Sequence, residues 1–93
     1  MANQESNANT THLTAAATTV IKAKPGFIGR LVITAVGSGA TVVIYDNASA
    51  GSGDVLWSWA TADGKGSFAM EARADNGITI VVGGSPAGYV TWS

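Results

Sequence analysis

The sequence predicts an all-β fold: an antiparallel two-sheet β-sandwich of about seven or eight strands, with jelly-roll or Greek-key-like wiring. Three observations carry this. Runs rich in Val, Ile, Thr and aromatic residues recur along the chain, each bounded by Gly, Pro, Asn, Asp or Ser. No stretch repeats apolar residues at the helical period. The chain is 93 residues long, which suits one domain with a two-layer core.

Residues 1–17 read as a polar N-terminal arm. Met1–Thr11 is rich in Asn, Gln, Ser and Thr and holds no large apolar residue after Met1, so nothing offsets the entropy of ordering it. The Ala triplet at 15–17 lacks the period of a helix. The folded domain is expected over 18–93. Thr18–Ala23 is the first expected strand, and Lys24-Pro25-Gly26 the first turn, with Pro presetting φ and Gly taking the third position.

Phe27–Val36 and Thr41–Asn47 flank a Gly37-Ser38-Gly39-Ala40 joint and read as a long central hairpin. On strict alternation, Phe27, Leu31, Ile33 and Ala35 share the core face. Ile28, Arg30, Val32, Thr34 and Val36 share the other, which makes Ile28, Val32 and Val36 candidates for an oligomer interface.

The loop at 46–53 is long enough to change sheets. Asp54–Ala60 follows, with Trp57 and Trp59 on one face. Asp63-Gly64 signals a tight turn, and Ser67–Ala72 returns with Phe68 and Met70 inward. Asp75-Asn76-Gly77 turns again. Ile78–Val82 fits a strand covered on both faces or lying at an interface. Gly83–Pro86 breaks it, and Ala87–Trp92 closes the fold.

Composition bounds the chemistry. Charged residues are only 12% of the chain against 46% apolar, so part of the surface is expected to be covered by partners. A net charge of −1 gives no electrostatic attraction for nucleic acid. There is no cysteine, which removes disulfides, thiolate chemistry and Cys-type zinc sites. No run approaches a membrane-spanning length and no secretory signal is visible, so synthesis in the cytoplasm and no membrane partner are expected.

Motifs for catalysis or ligands are absent or incomplete. Gly64-Lys65-Gly66-Ser67 lacks the upstream Gly and the following Ser or Thr of a phosphate loop. His12 is the only histidine and lies beside the arm. Asp46, Asn47 and Asp54 bracket one loop but supply too few oxygens for calcium, and Asx turns account for them. No catalytic, cofactor or metal residue is assigned, and the chain is read as non-enzymatic. Trp57, Trp59 and Trp92 remain open between core, oligomer interface and a sugar-stacking platform.

The order of these blocks resembles a family. A polar arm precedes Gly29-Arg30-Leu31-Val32-Ile33 and a Gly37-Ser38-Gly39 joint. Then come Val-Val-Ile-Tyr-Asp-Asn-Ala-Ser-Ala-Gly-Ser-Gly at 42–53 and Asn-Gly-Ile-Thr-Ile-Val-Val-Gly-Gly-Ser-Pro-Ala at 76–87, ending in Val90-Thr91-Trp92. From about residue 18 on, this is similar to the small β-sandwich virion proteins of tailed bacteriophages and prophages, which include capsid decoration (cement) proteins and head or tail accessory proteins. The resemblance implies a structural protein on the capsid exterior. Its partners would be the major capsid protein and its own copies, as a homotrimer at local three-fold positions. It implies shell contact through the arm, with Asn3, Gln4, Asn7, Asn9, Thr11 and His12 as candidates. Oligomer contact would fall to Ile28, Val32, Val36, Trp57, Trp59 and Trp92. The alternative is a tail-tip or fibre adhesion module that binds carbohydrate through surface tryptophans.

Overall fold

The computed structural model describes residues 9–13 and 16–93. Eight antiparallel strands fill it: β1 (Asn9–His12), β2 (Ala17–Lys22), β3 (Gly26–Ala35), β4 (Thr41–Asp46), β5 (Asp54–Ala60), β6 (Gly66–Ala74), β7 (Ile78–Gly83) and β8 (Ala87–Trp92). A 3-10 turn, Thr61–Asp63, separates β5 from β6. The strands form two four-stranded sheets, ordered β1-β8-β3-β6 and β2-β7-β4-β5. The pairs β1·β8, β2·β7, β3·β6 and β4·β5 nest one inside the next, which is the jelly-roll wrap. The expected two-sheet sandwich is the observed one.

The core lies between the sheets. Ile28, Leu31, Ile33 and Val90 come from the first sheet, and Val42, Ile44, Trp59, Ile78, Ile80 and Val82 from the second. Register explains which side chains meet. Val42 lies opposite both Val82 and Trp59, and Ile44 opposite both Ile80 and Trp57. Directly opposed residues in an antiparallel sheet share a face, so both tryptophans point inward beside buried aliphatics. Phe68, paired with Leu31, and Met70 pack against the same core, as alternation in β6 predicts.

The central hairpin expected over Phe27–Asn47 is not formed. β3 and β4 lie in different sheets, and the 36–40 joint crosses between them. Thr61 secures that crossing: its Oγ1 accepts the Ala40 N–H at 2.8 Å, and its own N–H donates to Ala40 O at 3.0 Å. The 46–53 loop, expected to change sheets, instead joins the adjacent strands β4 and β5. Asp63-Gly64 belongs to a crossing and not to a hairpin, since β5 and β6 lie in opposite sheets. Local residues dictate that the chain turns; they do not dictate which sheet receives the next strand.

The strict alternation read into β3 also breaks. On the β6 side Gly29 stands opposite both Met70 and Glu71; on the β8 side Ile28 pairs with Trp92 and Arg30 with the adjacent Thr91, so Gly29 is an extra residue of β3 relative to β8, a β-bulge. The extra residue puts Ile28 and Leu31 on the same inward face. Ile28 is fully buried while Phe27 is 43% exposed, the reverse of the expected pattern. Glu71 takes a positive φ of 48° at this bulge.

The folded sheet begins earlier than residue 18. Asn9–His12 pairs with β8 along its whole length, and Trp92 Nε1 donates to Thr11 Oγ1 at 2.8 Å. The last residues of the expected arm are therefore an edge strand of the sandwich. Residues 1–8 of that arm, with Asn3, Gln4 and Asn7, lie outside the described residues, as do 14 and 15.

Candidate interaction face

The outer faces of the two sheets differ. On the β2-β7-β4-β5 sheet, the 47–53 segment folds over the surface. Thr79 Oγ1 donates to Asn47 O at 2.8 Å, and Thr79 is fully buried although it points away from the core. Gly51 lies so close over Val81 that a Cβ there would collide with that side chain, with Thr18 and Tyr45 next nearest. The chain's own loop thus gives β7 cover on both faces, which satisfies the expectation from Ile78–Val82 without a neighbouring subunit. Val20 and Val55 remain exposed on this side.

No described segment covers the outer face of the β1-β8-β3-β6 sheet. Two registered rows cross it. Thr10, Thr91, Arg30 and Ala69 lie side by side in one, and His12, Tyr89, Val32 and Ser67 in the next. The His12 and Tyr89 rings have centroids 6.0 Å apart with their planes inclined by 34°. Arg30 Nη1 donates to Ser67 Oγ at 2.6 Å, which holds the guanidinium flat along the sheet. Val32 and Tyr89 are half-buried, and His12 and Arg30 are exposed. The result is a flat surface with an apolar and aromatic centre and little charge.

This face joins two candidate sets that looked separate in the sequence. His12, predicted for partner binding, and Val32, predicted for an oligomer interface, flank Tyr89 in one row. Thr11, Asn9 and Trp92 meet just beneath, at the sheet edge, where Asn9 Nδ2 donates to Trp92 O at 3.4 Å. Tyr89 itself was missed. Its position between His12 and Val32 depends on β1–β8–β3 pairing, and no local pattern announces that.

The other interface candidates are placed elsewhere. Ile28 and Trp59 are enclosed in the core, at 0% and 2% exposure, and have no surface to offer a neighbour. Val36, Trp57 and Trp92 are half-buried and pack against the core. Trp59 Nε1 donates to Gly64 O at 2.9 Å. Trp57 Nε1 is enclosed with no partner among the described residues. Trp57 and Trp59 do share a face, as expected, but it is the inner one, so the pair forms no open platform for a sugar.

The loop carboxylates serve the backbone. Asp46 Oδ1 accepts the N–H of Asn76 at 2.7 Å and of Gly77 at 3.3 Å, and Oδ2 accepts that of Asp75 at 3.1 Å. Asn47 Oδ1 accepts the N–H groups of Ser49 at 2.8 Å and Ala50 at 2.9 Å, an Asx turn. These oxygens thus serve the loop backbone, as the Asx-turn reading expects. Among the described residues no group of three or more His, Cys, Asp or Glu side chains gathers. The Asp46 carboxyl is held below the ordinary aspartate range, chiefly by the Asn76 N–H. Desolvation opposes this, and the Asp75 and Gly77 N–H groups add to the lowering. No helix among the described residues is long and apolar enough to cross a membrane.

No protein-family model matches the chain, and no curated protein matches its sequence.

Two outcomes follow from these contacts. A depressed carboxyl stabilises the fold above its unfolded pKa, and that contribution is lost as pH falls through the folded one. Asp46→Asn is therefore expected to lower stability at neutral pH by about 1 kcal/mol and to flatten the acid side of the stability profile, as read by urea unfolding across pH. For the indoles, Trp59→Phe removes a satisfied hydrogen bond and is expected to cost about 1–2 kcal/mol. Trp57→Phe removes an unpaired N–H and is expected to stay within about 0.5 kcal/mol of the parent.

Proposed function

We propose that this chain is a non-enzymatic structural protein of a tailed-bacteriophage virion, a decoration protein that binds the major capsid protein on the outside of the assembled head and stabilises it. The observation that carries the reading is the bare outer face of the β1-β8-β3-β6 sheet, centred on Val32 and Tyr89 and bordered by His12. A jelly roll by itself serves many roles, including capsid and lectin domains, so the face and not the fold bears the weight.

The shape suits adhesion. The molecule is a slab of 39 × 31 × 18 Å, so its broad side is large relative to its thickness. A specific interface needs roughly 800 Å² from each partner, which a face of these dimensions supplies. Each contact needs only modest affinity. Copies that associate as a trimer and engage a repeating shell gain avidity from simultaneous attachment. Residues 1–8 precede edge strand β1 directly in sequence, and the proposed shell contact includes Asn3, Gln4 and Asn7 of that segment. The inward tryptophans remove support from the carbohydrate reading.

The test is to mix the purified protein with undecorated capsids and measure stoichiometry and heat resistance. Saturable binding and a raised disruption temperature are expected. Val32→Asp should abolish both while the protein stays folded, since Val32 points out of the sandwich. Deleting residues 1–8 should weaken binding and leave β1 in place, whereas a deletion through His12 would also strip the sheet edge. Absence of binding, or binding at the tail alone, would overturn the proposal.

A further inference from the structure

We propose that Asn76 is a site of spontaneous covalent modification, and that the Asp46 carboxylate is the gate that keeps it closed. The chemistry is deamidation through a cyclic imide. It needs an asparagine whose side-chain carbon is reached by the next residue's backbone nitrogen. Glycine in that next position offers the least obstruction.

The fold forces this pairing. Gly77 sits where the β6–β7 crossing passes under the 47–53 loop. A Cβ there would lie 2.6 Å from Ala48 Cα and 2.7 Å from Lys22 O, so no other residue fits without moving backbone. Asn76 is exposed, which gives its side chain access to water. The crossing thus retains an Asn-Gly pair at an accessible turn, for a reason that lies in packing.

The same crossing also holds the reaction back. The nucleophile is Gly77 N, and its proton is engaged by Asp46 Oδ1, which also takes the Asn76 N–H. A donated hydrogen bond to a carboxylate favours the protonated amide, and the contacts on either side fix the peptide in place. Reaction therefore requires the turn to leave Asp46. Its rate in the folded protein is the rate of an unstructured peptide multiplied by the fraction of time the turn is open.

The step balances with water alone. Gly77 N bonds to Asn76 Cγ, the Cγ–Nδ2 bond breaks, and Nδ2 leaves as ammonia with the Gly77 amide proton. One water then opens the imide to an aspartyl or isoaspartyl residue. Either product carries a new carboxylate next to Asp46. The isoaspartyl form also lengthens the backbone by a methylene and displaces Gly77 N. Like charge weakens the clasp in the aspartyl product, and the altered path prevents it from re-forming in the isoaspartyl product. Modification at Asn76 is thus a one-way release of the crossing that joins β6 to β7.

Incubation in warm, mildly alkaline buffer with peptide mapping by mass spectrometry tests this. Three samples are compared: the full chain, its Asp46→Asn variant, and a free peptide spanning residues 72–80. The full chain should convert at Asn76 several-fold more slowly than the peptide. Asp46→Asn should accelerate conversion at Asn76 by about fivefold, the population change that loss of a charge-assisted hydrogen bond brings. A fourth sample, Trp59→Phe, is expected to be destabilised to a similar degree while its Asp46 contacts to Asn76 and Gly77 stay intact, and so controls for global unfolding. Acceleration at Asn76 in Asp46→Asn but not in Trp59→Phe supports the gate. Equal acceleration in both variants, no acceleration in Asp46→Asn, or conversion of the full chain at the peptide's rate would each overturn it.

Discussion

The chain changes sheet at every connection except the one between β4 and β5, and the fold depends on how those crossings are held. A crossing leaves the ladder that satisfies backbone groups, so its N–H and C=O groups need other partners. Three devices supply them. Leu13 N and Ala16 N donate to Gly88 O and Gly84 O, fastening the two ends of the β1–β2 link to the β7–β8 region. Thr61 holds the β3–β4 joint with both its hydroxyl and its backbone. Asp46 gathers three successive N–H groups of the β6–β7 crossing onto one carboxylate. The core then fills the gap between sheets that these ties hold together.

Much of the architecture was legible because alternation and turn chemistry are local. Strands β2–β8, the inward Phe68 and Met70, the shared face of Trp57 and Trp59, and the doubly covered β7 follow from spacing and residue type, whereas β1 lies in a polar segment expected to be an arm. The misplaced connections share one physical origin, which is that a turn signal carries no information about its destination. Gly37–Ala40 and Asp63-Gly64 look like hairpin turns and are crossings, while 46–53 looks like a crossing and closes a hairpin. The bulge at Gly29 is a second case. One extra residue reverses the facing of everything before it, so Ile28 enters the core and Phe27 leaves it. The candidate face was half legible: His12 and Val32 were singled out separately, and only strand pairing brings them to either side of Tyr89.

The two sheets divide the work. One carries its own cover, the 47–53 loop, which buries Thr79 and overlies Val81. The other keeps a flat, weakly charged outer surface and, at its edge, receives the chain from residues 1–8. This asymmetry gives the low charge content a physical location. A partner laid on that surface would bury Val32 and Tyr89 and would meet the Arg30 charge with an acceptor of its own, because the Ser67 hydroxyl that Arg30 Nη1 donates to is neutral.

The central claim is that this face, and not the loop-covered one, makes the contact. Oxidative footprinting of the protein free and bound to capsid shells tests it most directly. The account predicts protection of His12 and Tyr89 on binding, with Val20 and Val55 of the loop-covered sheet remaining as reactive as in the free protein. Protection confined to Val20 and Val55, with His12 and Tyr89 unchanged, would contradict it.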